Sequence, residues 1–590
     1  MMKGTPISPG IAQGTAYVLA CAQGAAATAR QIDPADVDAE IGRFEAALGR
    51  AVDGLLALKQ TVAEKIGPNE ADIFAAQALL VQSSSFRGQV SAIVRERHVN
   101  AEAALAEVIE KFTHAFEKIP DPYLRERAAD IRDVGRRVLS ALIEEKGGCA
   151  PDIPPGAIVV ADELFPSATV GLELEQVRGF VTERGGKFSH TAILARSLGT
   201  PAVAGVPAAS LHIKTGDRLI VDGVSGIVFI DPGPEVQAEY DRLERDFRSY
   251  KHALQKLVDL PSVTRDGVAI PLLANSSKFA DTEAAFLYKA EGIGLYRTEF
   301  GFAVRKAFPT EDEQFEFLER AAERLHPRKV VFRLLDLGGD KDLPYFPLPA
   351  SRNPSLAQRG IRLLLQHPDV LRSQLRAFLR VSGKHPVSIL MPVVGGIEEV
   401  RQTRAVLRQV MDELAREKVP FDRQVPLGAM IEVPAAALMV SSLAREVDFF
   451  SLGTNDLVQY LLAADREDEG IAPYYQPLHP AVLRLIQSVA EGARAAGRPL
   501  SICGEMAGNP DYTELLIGLG LRELSVAPGE LLDVKNAIRG TSVAEARALA
   551  ARALELGSAA EIEALLDARA AAARPVPVSV PARAAAPPSG

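Results

Sequence analysis

Between residues 268 and 528 the chain repeats one arrangement eight times, a short apolar run followed in most cases by a helical stretch. The runs fall at 268–275, 292–299, 329–336, 387–394, 426–433, 448–456, 499–506 and 523–528. A strand that must lie parallel to its predecessor needs a crossover of a dozen or more residues, and a helix is the usual crossover. Eight β-then-α units over roughly 300 residues is the pattern of a (β/α)8 barrel of the TIM type. In such a barrel the side chains just past the C-terminal strand ends meet at one mouth, so residues distant in sequence become neighbours.

The first 260 residues follow a different plan. Residues 1–20 read as a short strand segment, with residues 7–12 bending into residues 14–18. From about 33 to 145, Ala, Leu, Glu and Arg recur at helical spacing with few glycines or prolines, which predicts a bundle of long helices. Short apolar strands alternating with turns return after Gly147 and run to Asp231. The simplest assembly is an α/β domain made of residues 1–30 and 146–231, with the helical block 31–145 inserted into it. A charged helical linker is expected over 232–260, the barrel over 261–570, and a disordered Ala/Pro-rich tail over 571–590.

Composition removes several function classes. With 47% hydrophobic and 24% charged residues the chain reads as a soluble globular protein. A net charge of −10 with no basic stripe argues against nucleic acid as a partner. Cys21, Cys149 and Cys503 are too far apart to suggest a disulfide framework or a zinc site, which suits a reducing cytoplasm. The N-terminus has no apolar signal core, and no run of about 18 apolar residues suggests a membrane span.

The strand ends carry the chemistry. Arg297 lies near the end of the second run, Arg333 in the third, Glu432 on the fifth, Asn455 and Asp456 at the end of the sixth, and Cys503 in the seventh. Arg359 and Arg466 occupy the loops after the third and sixth. A single arginine is often a surface ion pair, but four aimed at one mouth suit a clamp on phosphate and carboxylate groups. Glu432 and Asp456 offer hard oxygen ligands suited to Mg²⁺. The set fits a small, doubly anionic substrate whose phosphoryl group is transferred. Cys503 is the plausible proton donor among these strand-end residues, with a small buried apolar residue as the alternative reading.

A second centre lies outside the barrel. Gly185-Gly186-Lys187-Phe188-Ser189-His190-Thr191 puts a histidine at the start of a helix directly after a Gly-Gly turn, with Ser189 as its cap. Helix N-termini favour anions, so a phosphate carried on His190 would face backbone N–H groups and the positive dipole end. A lone histidine more often packs under a loop, but the turn, the cap and the arginine-lined mouth weigh towards a nucleophile.

These motifs, together with Gly294-Leu295-Tyr296-Arg297-Thr298-Glu299-Phe300, Gly338-Gly339-Asp340-Lys341, Ser451-Leu452-Gly453-Thr454-Asn455-Asp456-Leu457 and Cys503-Gly504-Glu505-Met506-Ala507-Gly508, resemble enzyme I of the bacterial phosphotransferase system. The resemblance runs in domain order from residue 4 to about 570. It implies a swivelling phosphohistidine α/β domain, an inserted helical domain that docks a small histidine-containing carrier protein, and a barrel that binds phosphoenolpyruvate and Mg²⁺. It also implies that His190 accepts the phosphoryl group on Nε2, that Arg297, Arg333, Arg359 and Arg466 meet the developing charge, and that Asn455 orients the substrate. Cys503 would protonate the departing enolate to pyruvate. Homodimers formed through the barrel are a further implication.

The sequence departs from the family in three places. Residues 353–358 lack the usual aromatics before Arg359, and the chain has no Trp. Lys187-Phe188 stands where relatives carry Arg-Thr, and Gln77 with Ser83-Ser84-Ser85 replaces a histidine and an acidic cluster in the helical insert, which leaves the carrier open. Two related readings are weaker. A pyruvate phosphate dikinase or phosphoenolpyruvate synthase would need an ATP-binding domain, and a nitrogen-branch relative normally adds a sensory domain. A non-catalytic sensor of phosphoenolpyruvate would need neither nucleophile nor proton donor.

Overall fold

The structure is a computed structural model that describes residues 1–19, 30–65, 78, 81, 84–117, 134–135, 137–139, 141–142, 153–162, 176–185, 191–192, 195, 199–303, 305, 307–339, 343, 345–346, 348, 351, 353–466, 468 and 470–573. Two compact units divide the described residues, one over Met1–Tyr250 and the other over Lys251–Pro577.

In the first unit, β1 (Met2–Lys3), β2 (Thr5–Ser8), β3 (Ile11–Val18), β4 (Ile158–Ala161), β5 (Gly179–Thr182), β6 (Ala202–Ala204), β7 (Arg218–Asp222) and β8 (Ile227–Ile230) form one sheet in the order β1-β8-β7-β3-β4-β5-β6-β2. All residues of β4 and β5 are buried, the burial expected of strands covered on both faces. Alternation divides them: Ile158 and Val160 join one apolar cluster, while Val159 and Ala161 join another with Phe180, Ala192 and Ala195. Two glycines permit close backbone approach, since a Cβ at Gly14 would stand 2.5 Å from the Gly156 carbonyl oxygen and one at Gly223 only 2.0 Å from that of Ser8.

β3 and β4 are hydrogen-bonded parallel neighbours, paired Ala16↔Ile158 through Val18↔Val160, although more than a hundred residues of chain lie between them. That interval carries the helices Val37–Lys65, Ser84–Arg97 and Ala101–Glu117. They have their own core, including Phe44, Leu55, Phe86, Val90 and Leu105. Arg43 ties the set together, donating to Glu40, to Glu102 and, at 3.0 Å, to the Leu142 carbonyl. A helix at Pro234–Gln255 follows β8.

The second unit is a closed parallel barrel of β9 (Leu272–Ser276), β10 (Gly292–Tyr296), β11 (Lys329–Arg333), β12 (Val387–Met391), β13 (Leu427–Ile431), β14 (Phe449–Leu452), β15 (Leu500–Ile502) and β16 (Leu524–Val526). β16 returns to β9 through Leu524↔Leu272, Ser525↔Leu273 and Val526↔Ala274. Gly428 on β13 leaves room for the Phe449 ring, which a Cβ would meet at 2.4 Å.

Most of the expected runs extend past the C-terminal end of the observed strand. Asp336 and Glu432, read as strand residues, lie beyond β11 and β13 respectively. The β13–β14 ladder ends with Gly453 N–H donating to the carbonyl of Ile431, and Glu432 follows directly after that last strand residue. The helix Ala559–Ala573 includes the first three residues assigned to the tail, and residues 574–590 lie outside the described residues.

Candidate active site

The barrel mouth is built on two buried arginines and the acids around them. Arg333, the last residue of β11, donates from Nη2 to Glu299 Oε1 at 2.8 Å, and its Nη1 lies 3.4 Å from Asp336 Oδ2. Arg359 donates from Nε and Nη2 to the two oxygens of Asp336, both at 2.9 Å, and its Nη1 and Nη2 reach Asp456 at 3.3 and 3.5 Å. Burial works against both guanidinium charges, but Asp336, Glu432 and, respectively, Glu299 or Asp456 raise both arginines above their ordinary range.

A glycine pair places Arg359. Gly338 and Gly339 have φ of 97° and 74°, a conformation that favours glycine. Gly338 bridges to Arg359, and its missing Cβ would stand 2.0 Å from the Gln358 carbonyl oxygen. Buried Gln374 braces the same segment, accepting from Leu335 N–H at 2.9 Å and donating to Thr298 Oγ1 at 3.2 Å.

Glu432, directly after β13, is 1% exposed and accepts from Val393 N–H at 2.6 Å. Burial, then the charges of Asp456 and Asp336, push its carboxyl up to about 7, while Arg333 and Arg359 oppose the shift. Asp456 lies in the first turn of the helix Thr454–Leu462. The excess of carboxylates over buried arginines is what a bound cation would relieve, and hard oxygens fit a divalent ion such as Mg²⁺. Among the described residues no third acidic, His or Cys side chain completes a metal cluster, so substrate oxygens and water would fill the remaining positions.

Cys503 follows β15 in a cluster with Leu295, Val331, Leu390 and Met430. Its Sγ accepts from Ser451 Oγ at 3.3 Å and donates to the Leu452 carbonyl at 3.5 Å. Burial pushes the thiol up, the Ser451 hydrogen bond and the charges of Arg297 and Arg333 act downward, and Glu432 acts upward. Arg297 is exposed immediately after β10. Asn455 exchanges hydrogen bonds with Glu505, donating to Oε1 at 3.1 Å and accepting from the Glu505 N–H at 2.8 Å. Tyr475 donates to the Asn455 carbonyl, and its hydroxyl, pushed up to about 12 chiefly by burial, feels Arg466, Glu505 and Asp456.

The barrel residues singled out in the sequence thus gather towards one end, with Arg466 in the loop after the helix Thr454–Leu462, where its charge acts on Tyr475. Sequence reasoning missed Asp336, Glu299 and Gln374. Asp336 carried a usable signal, a carboxylate closing an apolar run, the same pattern that marked Glu432. Glu299 closes the second run in the same way and carried the same signal, whereas Gln374, inside the helix Pro368–Ser382, had none.

Lys187, Phe188, Ser189 and His190 lie outside the described residues, as do Gln77, Gln82, Ser83, Asp340 and Lys341. Gly185, just before them, has φ of 102°. Thr191, Ala192 and Ala195, just after them, are buried, and the two alanines pack in the cluster beneath Val159 and Phe180. Among the described residues no helix is long and apolar enough to cross a membrane.

Known proteins match this layout in three segments. Residues 251–543 match the PEP-binding domain of PEP-utilising enzymes, residues 3–127 their N-terminal domain, and residues 153–226 their mobile domain. The phosphoenolpyruvate-protein phosphotransferase of Bacillus sp. (strain S) is 42% identical over 561 residues, covering 95% of this chain and 96% of that protein. The enzymes of the same name from Bacillus subtilis (strain 168) and Haemophilus influenzae are 39% and 38% identical, each covering 96% of this chain and 99% and 98% of their own length. With such identity along almost its whole length, and with a closed barrel whose mouth gathers arginines, carboxylates and a thiol, the chain belongs to the phosphoenolpyruvate-protein phosphotransferase family.

Proposed function

We propose that the chain transfers the phosphoryl group of phosphoenolpyruvate to His190 and then to a small histidine-containing carrier protein, releasing pyruvate as the first step of a phosphotransferase system. The observation that carries this reading is the convergence of Arg333, Arg359, Glu432, Asp456 and Cys503 at one end of the barrel.

In this reading Arg333 and Arg359 enter the reaction already oriented by Asp336 and Glu299, so little rearrangement accompanies the build-up of charge on the phosphoryl oxygens. Arg333 Nε is buried with no acceptor among the described residues, a cost of about 1–3 kcal/mol that a substrate oxygen would offset. Arg297 and Arg466 supply further positive charge, and Asn455, held by Glu505, orients the substrate. Glu432 and Asp456 would hold Mg²⁺, whose chemistry is charge neutralisation at the phosphoryl oxygens. As the P–O bond breaks, the phosphoryl group passes to His190 Nε2 and the enolate takes the proton of Cys503 Sγ at carbon. The thiol's raised range suits this role, because it keeps the proton on sulfur until the enolate forms.

The same reading divides the chain at about residues 30, 145, 231, 260 and 570, assigns carrier docking to the helical insert, and makes the protein a cytoplasmic homodimer through the barrel. Exposed Leu438 and Met439 offer apolar surface for the second copy. The test is His190→Ala. This variant should bind phosphoenolpyruvate with wild-type affinity by calorimetry and take up no acid-labile phosphate. Phosphohistidine mapped elsewhere on it would refute the assignment.

A further inference from the structure

At the opposite end of the barrel from its mouth, two histidines that the proposed reaction does not use face each other. His326 caps the helix Glu311–Leu325 just ahead of β11, and His385 stands just ahead of β12. These strands are neighbours in the barrel, paired Val330↔Val387, so the two approaches meet at its base. The Nδ1 atoms are 3.4 Å apart and the ring planes lie at 74°.

That spacing is too long for a good hydrogen bond, since N–H donors sit about 2.7–3.2 Å from their acceptors. Two imidazole nitrogens on one tetrahedral ion, each bound at about 2.0–2.1 Å, stand about 3.3–3.4 Å apart. The separation therefore matches two ligands of a shared ion. His326 is exposed and His385 half-buried, so an ion reaches them from solvent. Burial, and then the neighbouring His326, hold His385 below its ordinary range and so favour the neutral, ligating form. Glu319 and Glu323, on the same helix, add a negative field, while Lys384 opposes it but is paired with Glu319.

We propose that His326 and His385 bind a divalent transition ion, Zn²⁺ foremost, with water completing its coordination. The site differs in kind from the oxygen-lined mouth, because imidazole nitrogen suits Zn²⁺ where carboxylate oxygen suits Mg²⁺. The ion would staple the turn before β11 to the turn before β12, tying two consecutive βα units together at the base of the barrel.

The test uses the full chain in excess Mg²⁺, titrated with ZnCl₂ against a chromogenic chelator, with CoCl₂ as an optical reporter of tetrahedral nitrogen ligation. Wild type should bind Zn²⁺ at a site that His326→Ala and His385→Ala each weaken at least tenfold, with loss of the Co²⁺ absorption. Zn²⁺ should raise the Tm of wild type but of neither variant. Affinity should fall below about pH 6 as protons compete for the rings. Pyruvate formation with Mg²⁺ should be unchanged in both variants. Equal Zn²⁺ affinity and stoichiometry in wild type and both variants would overturn the site, as would dependence on only one of the two rings.

Discussion

Arg359 and Asp336, 23 residues apart in sequence, form a fully buried pair in which Nε and Nη2 of the guanidinium each donate to one carboxylate oxygen at 2.9 Å. This two-point contact fixes the guanidinium plane and leaves Nη1 directed at Asp456, so Asp336 acts as a positioning residue for the proposed substrate clamp. Removing one partner of such a buried pair typically costs about 3–5 kcal/mol, because the other charge is left without compensation. Asp336→Ala should therefore lower the Tm markedly. Asp336→Asn, which keeps the shape, should fold and lose at least tenfold in kcat/KM through a raised KM. An Asn variant with wild-type kinetics and Tm would show that the pair positions nothing.

Cys503 carries a pH prediction. Burial raises its pKa on folding, so the neutral thiol contributes stability that is fully present below the unfolded value and is lost as pH rises through the higher folded value. At about pH 8.5 an exposed cysteine is half thiolate, whereas Cys503 should remain protonated and react slowly with iodoacetamide. Rapid stoichiometric alkylation of Cys503 in the folded chain, mapped by mass spectrometry, would contradict this. Cys503→Ser should also slow pyruvate formation strongly while leaving phosphoryl exchange between His190 and a phosphorylated carrier nearly intact, since exchange involves no carbon protonation. Equal losses in both reactions would assign the thiol to packing.

For the metal, Glu432→Gln and Asp456→Asn should each reduce turnover by several orders of magnitude, and Mn²⁺ should replace Mg²⁺ because both accept oxygen ligands. Activity that survives excess chelator would remove the ion from the mechanism.

The last prediction concerns where the chain can be cut. The charged helical stretch up to about residue 260 is expected to act as a linker; at its end Lys535 Nζ donates to the Val258 carbonyl at 3.1 Å and Arg539 to that of Pro261 at 2.8 Å. The division of contacts falls at Tyr250. A 1–250 fragment should fold, exchange phosphate with its carrier and ignore phosphoenolpyruvate, while a 251–577 fragment should bind phosphoenolpyruvate and Mg²⁺ without being phosphorylated. Phosphorylation of the first fragment by phosphoenolpyruvate would exclude nucleophile and substrate site on separate units.

The barrel and the split α/β sheet are legible in the sequence because both rest on local, repeated signals. Apolar runs such as those at 387–394 and 426–433 announce buried strands, and the helical stretches between them leave parallel pairing as the workable arrangement. The shift from helical periodicity to short strands near residue 147 likewise marked the inserted helices, although the pairing of Val18 with Val160 that closes the sheet over them is visible only in the fold. The same runs show which residues lie near the C-terminal end of a strand, to within a few positions, which is why Arg333, Glu432 and Cys503 could be named. They do not show which partners these residues meet. Asp336 contacts Arg359 across 23 residues and Arg359 contacts Asp456 across 97, and closure of the barrel is what brings them together. Charge type and strand-end position are properties of the local sequence, whereas pairing, burial and the resulting shifts at Glu432 and Cys503 depend on distances that exist only once the eight strands have closed.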